Sequence, residues 1–408
     1  MTRSYDIAVV GAGLAGRLMA LGLDHAGFSV VQIDRSANRD APDDGRTTAL
    51  SYAAVRLFRR LGLWDSLEDK AEPITDILVS NGEPRDRFRQ GGLTGGQLHF
   101  PSSLLGEGET GEPALGYIVE NKDLHTAMAG ALSSSKVTAM FCTEVEHFSG
   151  RTITFQDAKT LSTDLLVACD GRHSPLRAKM NMQILRWGYP QTGIIVNIAH
   201  EKPHNGVAHE VFYPDGPFAI LPMRNNQSSL VWTERERAAA SYLALSDSDF
   251  LEALRERVGD HLGAIEVVSE RQSYPLSLMY APKLIAQRFI LAGDAAHGIH
   301  PIAGQGFNLG IKDVAALVDV LTEARGAGLD IGHGAVLENY DRWRRLDGTA
   351  LSLGTDVLNR LFSNTWGPLK HARGLGLAAV QRIDPLRKVF MRLSGSDLGD
   401  LPRLMQRL

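Results

Sequence analysis

Apolar positions recur along this chain in two rhythms, and the first stretch shows both. Asp6-Ile7-Ala8-Val9-Val10 is a short apolar run ending at Gly11, which reads as a buried strand. Leu14 to His25 then carries apolar residues at helical spacing, and Phe28 to Ile33 is a second strand-length run closed by Asp34. Strand, glycine turn, helix and strand in that order predict a βαβ unit. Residues 36–47 are polar and loop-like, Thr48 to Leu61 resumes the helical period, and residues 76–117 are glycine-rich, as an insertion would be. Asp123 to Leu132 reads as a helix, with short strands around Ala139–Val145 and Thr152–Phe155.

Between 186 and 235 the rhythm changes. Ile194 to Ala199, Val207 to Tyr213, Phe218 to Pro222 and Ser229 to Thr233 are short β-rich runs separated by Gly, Pro and Asn. They predict a mixed or antiparallel sheet forming its own layer. Asp247 to Val258 is helical by period, and the apolar run Arg288 to Ala292 returns the chain to the first domain. The expected division is a discontinuous nucleotide-binding domain over 1–75, 104–185 and 275–345. A substrate sheet takes 76–103 and 186–274, and 346–408 forms a helical C-terminal segment.

Composition narrows the picture modestly. With 408 residues, 44% hydrophobic and 22% charged, the chain is of ordinary globular make-up. A net charge of −4 offers nothing to attract nucleic acid. Cys142 and Cys169 form no CxxC and read as two buried thiols in a reducing compartment. No leader pattern precedes Ile7, and no run approaches the roughly 20 apolar residues that span a bilayer. The expectation is a cytoplasmic protein, at most peripheral to the inner membrane. From Asp356 onward nine Lys or Arg face four Asp. Leu375, Leu377, Val380, Ile383, Leu386, Val389, Phe390 and Leu393 line up as one apolar stripe there. Such a basic amphipathic tail suits an anionic membrane, a partner, or its own domain.

Three motifs carry chemistry. Gly11-Ala12-Gly13-Leu14-Ala15-Gly16 fits GxGxxG between a strand and a helix: Gly11 for the tight turn, Gly13 for backbone approach to a pyrophosphate, Gly16 for helix–sheet packing. Asp34, at the end of the next strand, can accept hydrogen bonds from ribose hydroxyls, with Arg35 beside it. Far downstream, Gly293-Asp294 closes a strand before His300-Pro301-Ile302-Ala303-Gly304-Gln305-Gly306-Phe307-Asn308 opens a helix. Asp294 can bind a ribityl hydroxyl, or simply cap the loop that follows. The N–H groups around Gly304 to Asn308 can stabilise negative charge at a flavin edge. An NAD dehydrogenase needs only the first signal; an extended FAD needs both. The third motif, Cys169-Asp170-Gly171-Arg172-His173-Ser174-Pro175-Leu176-Arg177, is by itself a turn with a helix cap. The fold class expected is α/β: an FAD-binding, Rossmann-like domain of glutathione-reductase type, an inserted β-sheet substrate domain and a helical C-terminal segment.

With these motifs in this order, the sequence resembles the group A flavoprotein aromatic monooxygenases. Gly45-Arg46-Thr47-Thr48-Ala49-Leu50-Ser51, Glu120-Asn121-Lys122-Asp123-Leu124 and His300 to Gly310 make it most similar to the ubiquinone-biosynthesis hydroxylases within that group. Lys312 stands where relatives carry Arg. The resemblance implies a tightly bound FAD, with Arg46 and Asn121 beside it, Val145 near the adenine through its backbone, and Asp170 near the pyrophosphate. It implies NADH or NADPH as a transient reductant and ring hydroxylation of a hydrophobic, polyprenylated phenol through a flavin C4a-hydroperoxide. Pro301, Gly304 and Gln305 would line the oxygen side of the flavin. His209, Tyr213 and Phe218 are the substrate candidates. No general base is assigned, His209, Tyr213 and His300 being considered. No metal is expected, since His297 and His300 lack further ligands. Two other readings stay open: a hydroxylase of a small soluble aromatic or secondary metabolite, and a flavin-binding scaffold of a biosynthetic assembly.

Overall fold

Strand β1 (Ser4–Val10) is buried along its second half, and helix α1 (Leu14–His25) follows it over the residues whose spacing predicted it. In the computed structural model, residues 4–36, 45–81, 97–106, 110–298, 305–345, 380–397 and 399–407 are described. β1 pairs in parallel with β2 (Val30–Ile33) on one side and β11 (Thr160–Ala168) on the other. β8 (Thr138–Met140) extends the sheet beyond β2, and β19 (Phe289–Leu291) extends it beyond β11, with β18 (Ile285–Ala286) outermost. An antiparallel hairpin of β9 (Val145–Ser149) and β10 (Thr152–Phe155) attaches to β11. Helix α1 packs against helix α7 (Gln305–Gly326), Gly22 lying where a Cβ would come 3.0 Å from Val314.

A second sheet has the order β20-β17-β12-β15-β14-β13-β5-β6, with β16 (Ile265–Val267) also on β12. Its strands are β5 (Asp76–Asn81), β6 (Gln97–Pro101), β12 (Leu185–His200), β13 (Val207–Tyr213), β14 (Gly216–Met223), β15 (Gln227–Arg235), β17 (Gln272–Tyr280) and β20 (His297–Gly298). The sheet runs on to Tyr280, past the expected edge at 274, and β20 joins it from the middle of the Gly-Asp region. Side chains alternate across it with a period of two. Ile194, Val196, Val211, Tyr213, Phe218, Ile220, Leu230 and Trp232 form one core with helices α5 (Glu236–Leu243) and α6 (Asp247–Val258). The opposite face looks towards the nucleotide-binding part.

The expected helix from Thr48 begins later. Thr47–Ser51 is strand β3, paired antiparallel with β7 (Gly116–Glu120), which β4 (Glu72–Ile74) also joins, and helix α3 (Asn121–Ser134) follows β7. Helix α2 (Tyr52–Arg60) starts only after Ser51, whose hydroxyl caps it by accepting from the Ala54 N–H. The strand expected over 139–145 is interrupted at Cys142, which takes φ +53° and is exposed, whereas Cys169 is buried. Of the C-terminal stripe, Leu375 and Leu377 lie outside the described residues, and the helix there is α9 (Asp384–Ser394), a further helix α8 occupying 334–345.

Candidate active site

Each glycine of the first motif has a separate steric reason. Gly11 takes φ +114°, and a Cβ there would lie 2.3 Å from the Cys169 carbonyl oxygen. At Gly16 a Cβ would strike the Gly11 oxygen at 2.1 Å. At Gly13 a Cβ would meet nothing within 4 Å, so this glycine leaves room for something other than protein. Asp34 braces the turn: Oδ2 accepts from the Ala12 N–H at 2.6 Å and Oδ1 from the Ser36 N–H at 2.7 Å. Arg35 is exposed. Arg17, which sequence reasoning passed over, is buried and donates to the Ala12 carbonyl (2.9 Å) and the His125 carbonyl (3.2 Å).

Asp294 sits in a tight turn, Gly293–Ala295, just beyond β19, and is exposed while its neighbours are buried. Gly293 takes φ +60°, and its N–H donates to Asp313 Oδ2 at 2.8 Å. Asp313 is fully buried, with Arg344 Nε at 2.8 Å and His297 Nε2 at 2.9 Å. Burial works against its charge, but His297 and Arg344 outweigh burial and hold the carboxyl below its usual range. His297 therefore packs in the buried cluster around Asp313 that sets the Gly-Asp turn; its sequence companion His300 lies outside the described residues. Among the described residues no group of three or more His, Cys, Asp or Glu is placed to hold a metal ion.

Helix α7 starts at Gln305, so its first-turn N–H groups, which lack intrahelical acceptors, are those the motif predicted to face a ligand. Gly306 and Phe307 border the cavity. The Asn308 side chain is turned away to β3, accepting from the Ser51 N–H (3.0 Å) and donating to the Ala49 carbonyl (2.8 Å). Pro301 and Gly304 lie outside the described residues, as does the side chain of Gln305.

Arg46 and Asn121 are brought together: the Asn121 N–H donates to the Arg46 carbonyl at 2.9 Å, and Thr48 donates to Asn121 Oδ1 at 2.7 Å. From the second sheet, Asn197 Nδ2 reaches the Gly45 carbonyl at 2.8 Å. Asp170 caps helix α4 (Pro175–Lys179) through the Leu176 N–H at 3.1 Å, while its Oδ1 is buried without a partner among the described residues. Burial pushes its carboxyl up, against several hydrogen bonds. Val145 is buried, and its carbonyl is taken by Lys179 at 2.8 Å. It follows a loop in which the Thr143 N–H donates to the Asp34 carbonyl, which puts it near the first motif but off the cavity lining.

One continuous cavity of about 1260 Å³ runs from Gly13, Asp294 and Gly306 to the inner face of the second sheet. Its wall there is Ile77, Val79, Leu98, Phe100, Ala219 and Leu221, with Arg46, Arg172 and Tyr274 between the two ends. Arg172 donates to Ser277 Oγ at 3.2 Å. Burial pushes the Tyr274 hydroxyl up to about 12 despite Arg172 and Arg46 nearby. The substrate candidates need correcting. Tyr213 and Phe218 belong to the helix-covered core, Tyr213 beneath the Arg257 guanidinium and Phe218 edge-on to Trp232. His209 borders the cavity, yet its ring lies 5.2 Å from that of His261, on the side of Val211 and Tyr213. Burial, then His261, lowers its pKa to about 3. The reason is the strand period: neighbours along β13 face opposite ways, so Ala208, Glu210 and Phe212 turn to the cavity while the His209 ring packs beside His261.

These residues fit an extended dinucleotide: room at Gly13, an exposed carboxylate at Asp294 and the helix-opening residues Gly306 and Phe307 border one cavity. Comparison with known proteins agrees. The FAD binding domain family matches residues 4–351. Ubiquinone hydroxylase UbiL of Rhodospirillum rubrum is 40% identical, covering 98% of this chain and 92% of that protein. Ubiquinone hydroxylase UbiM of Neisseria meningitidis is 32% identical, covering 96% and 85%. Among solved structures, p-nitrophenol 4-monooxygenase PnpA of Pseudomonas putida superposes with a TM-score of 0.79 at 18% identity, over 98% of this chain and 100% of that one.

Proposed function

The chain belongs to the FAD-binding flavoprotein monooxygenases and is a relative of the ubiquinone hydroxylases, and from that premise we propose that it hydroxylates the ring of a polyprenylated phenol in ubiquinone biosynthesis, with NADH or NADPH and O₂ as co-substrates. The observation that carries this reading is the joining of a polar cofactor end to an apolar sheet face in one cavity. A phenol with a hydrocarbon tail has the same division. Leu98, Phe100, Phe212 and Leu221 offer it apolar surface, worth about 25 cal/mol for each Å² taken from water.

When bound, FAD supplies the redox chemistry, taking a hydride from the nicotinamide and activating O₂. The protein does the rest. Gly11 and Gly13 let the backbone approach the pyrophosphate, Asp34 holds the turn, and Asp294 takes a ribityl hydroxyl. The α7 N-terminus stabilises negative charge on the flavin edge. The apolar wall excludes water and fixes the ring, so that oxygen goes to carbon rather than to solvent.

The tail of the substrate leads to the membrane. Helix α9 exposes Leu386, Val389, Phe390 and Leu393 on one side, with Ile383 exposed just before it and Lys388 and Arg392 on the same helix, and Phe390 and Met391 also border the cavity. Among the described residues no helix is long and apolar enough to cross a bilayer. Peripheral contact through α9 would place the cavity beside the lipid that holds the substrate. Deleting the gene and analysing the lipid extract tests the proposal. A prenylated phenol lacking one hydroxyl should accumulate, and normal ubiquinone content would refute it. Co-sedimentation with phosphatidylglycerol vesicles tests the α9 contact, which Phe390→Glu should abolish.

A further inference from the structure

One cross-strand row of the second sheet faces the cavity. Its register reads Leu98, Val79, Glu210, Ala219, Val231, Ile195 and Gln272, each opposite the next. Five of the seven are apolar; Gln272 closes the row at its far end, and Glu210 stands between apolar neighbours. Glu210 stands between Ala208 and Phe212 on β13, so all three turn the same way, towards the cavity. Its side chain forms no ion pair or hydrogen bond with any described residue, and it is half-buried at the cavity wall. Its direct neighbours on β14 and β5, Ala219 and Val79, carry no charge. Among the described residues, the arginines bordering the cavity are Arg46, Arg172 and Arg186, on the loop before β3, the Asp-Gly turn and β12, and His125 and His173 border it as well. Glu236, at the start of α5, and Asp294, at the cofactor end, are the other described carboxylates bordering the cavity, and His209, next to Glu210 on β13, is neutral.

An unpaired carboxyl in such a wall is costly to the fold, and no described residue offsets that cost. Burial alone raises its pKa to about 7. A base with that affinity is poised to take a proton at neutral pH.

We propose that Glu210 is the proton acceptor for the substrate's phenolic hydroxyl. This rests on the phenol reading above and supplies the base that the sequence did not reveal. The O–H bond of the phenol breaks, the proton passes to the Glu210 carboxylate, and the electron pair stays on the ring oxygen. That oxygen pushes electron density to the ring carbon that receives the oxygen atom. As aromaticity returns, that carbon loses its hydrogen to water and Glu210 returns its proton to the ring oxygen. The carboxylate is thereby restored.

The test uses FAD-loaded wild type and Glu210→Gln with a farnesylated phenol, following both hydroxylated product and NADH oxidation across pH. Wild-type kcat/KM should fall on the acid side with a midpoint near 7. Glu210→Gln should lose about 10²-fold in hydroxylation together with that acid limb. Its NADH oxidation should persist, now yielding hydrogen peroxide. A ring-fluorinated farnesylphenol, already ionised near neutrality, should bring the variant's rate back towards the wild-type rate on the same compound. A purely structural role predicts no such recovery. Glu210→Gln hydroxylating within threefold of wild type, with an unchanged pH profile, would overturn the base assignment alone. A wild type that hydroxylates no prenylated phenol at any pH would overturn the substrate reading, and the base with it.

Discussion

The two ends of the cavity are built from different materials. The cofactor end is mostly backbone: glycines at 11, 13 and 293, the N–H groups opening α7, and carboxylates that hold the turns. The end where we place the substrate is mostly side chain, one face of a sheet whose other face is a packed core. A backbone site depends on turns a few residues long. A side-chain site depends on which way each strand is rolled, and a one-residue error exchanges its two faces. The first kind tolerates few residue types and leaves a motif; the second tolerates any apolar residue of suitable size.

The sharpest break of that contrast sets the two faces of β14 against each other. Phe218→Ala, on the core face, should cost about 3–5 kcal/mol, read in urea unfolding, without a specific change in KM. Ala219→Phe, on the cavity face, should raise KM for the prenylated phenol and leave the flavin spectrum intact. Equal effects on stability would mean that the faces are not distinct. The cofactor end allows a parallel test. Gly11→Ala should destabilise by about 3 kcal/mol or more, because a Cβ meets backbone at a strained φ. Gly13→Ala should leave the thermal midpoint of the FAD-free protein unchanged while flavin retention on gel filtration falls.

Glu210 marks the substrate wall by its charge. Its folded pKa of about 7 lies above the ordinary 4.5, so the fold favours the protonated form. Relative to Glu210→Gln, wild type should therefore lose stability as pH rises from about 4.5 through about 7, by at most about 3 kcal/mol. Melting the FAD-free proteins at pH 5 and pH 8 reads this directly: midpoints close at pH 5 and the variant higher at pH 8. A constant difference would refute the buried charge. The smallest effect belongs to Asp294→Ala. Its exposed carboxylate supports no fold contact among the described residues, so only FAD affinity should fall, by about tenfold for a hydrogen bond of about 1.4 kcal/mol. Unchanged FAD occupancy would remove the ribityl role.

The βαβ unit was legible because a buried parallel strand must be apolar and its turn must be glycine, which left α1 readable to the residue. The helical period from Thr48 conceals the strand over Thr48 to Ser51, because its β-partner, Gly116–Glu120, is remote in sequence and only the fold supplies it. Val207 to Tyr213 was read as a strand over its full length, but its facing was not readable. Alternating Val-Ala-His-Glu-Val-Phe-Tyr presents an aromatic or ionisable group on both sides, and the more striking His and Tyr turned out to pack beside α6.

What the sequence determined by itself is therefore the cofactor: short motifs written in glycine, aspartate and helix starts, whose geometry is local. What only the tertiary structure decided is the substrate wall, because strand roll and cross-strand register are set by contacts between segments far apart in the chain. Those contacts brought Glu210 of β13 into line with Val79 and Ala219, and turned an unremarked glutamate into the one carboxyl of that apolar row.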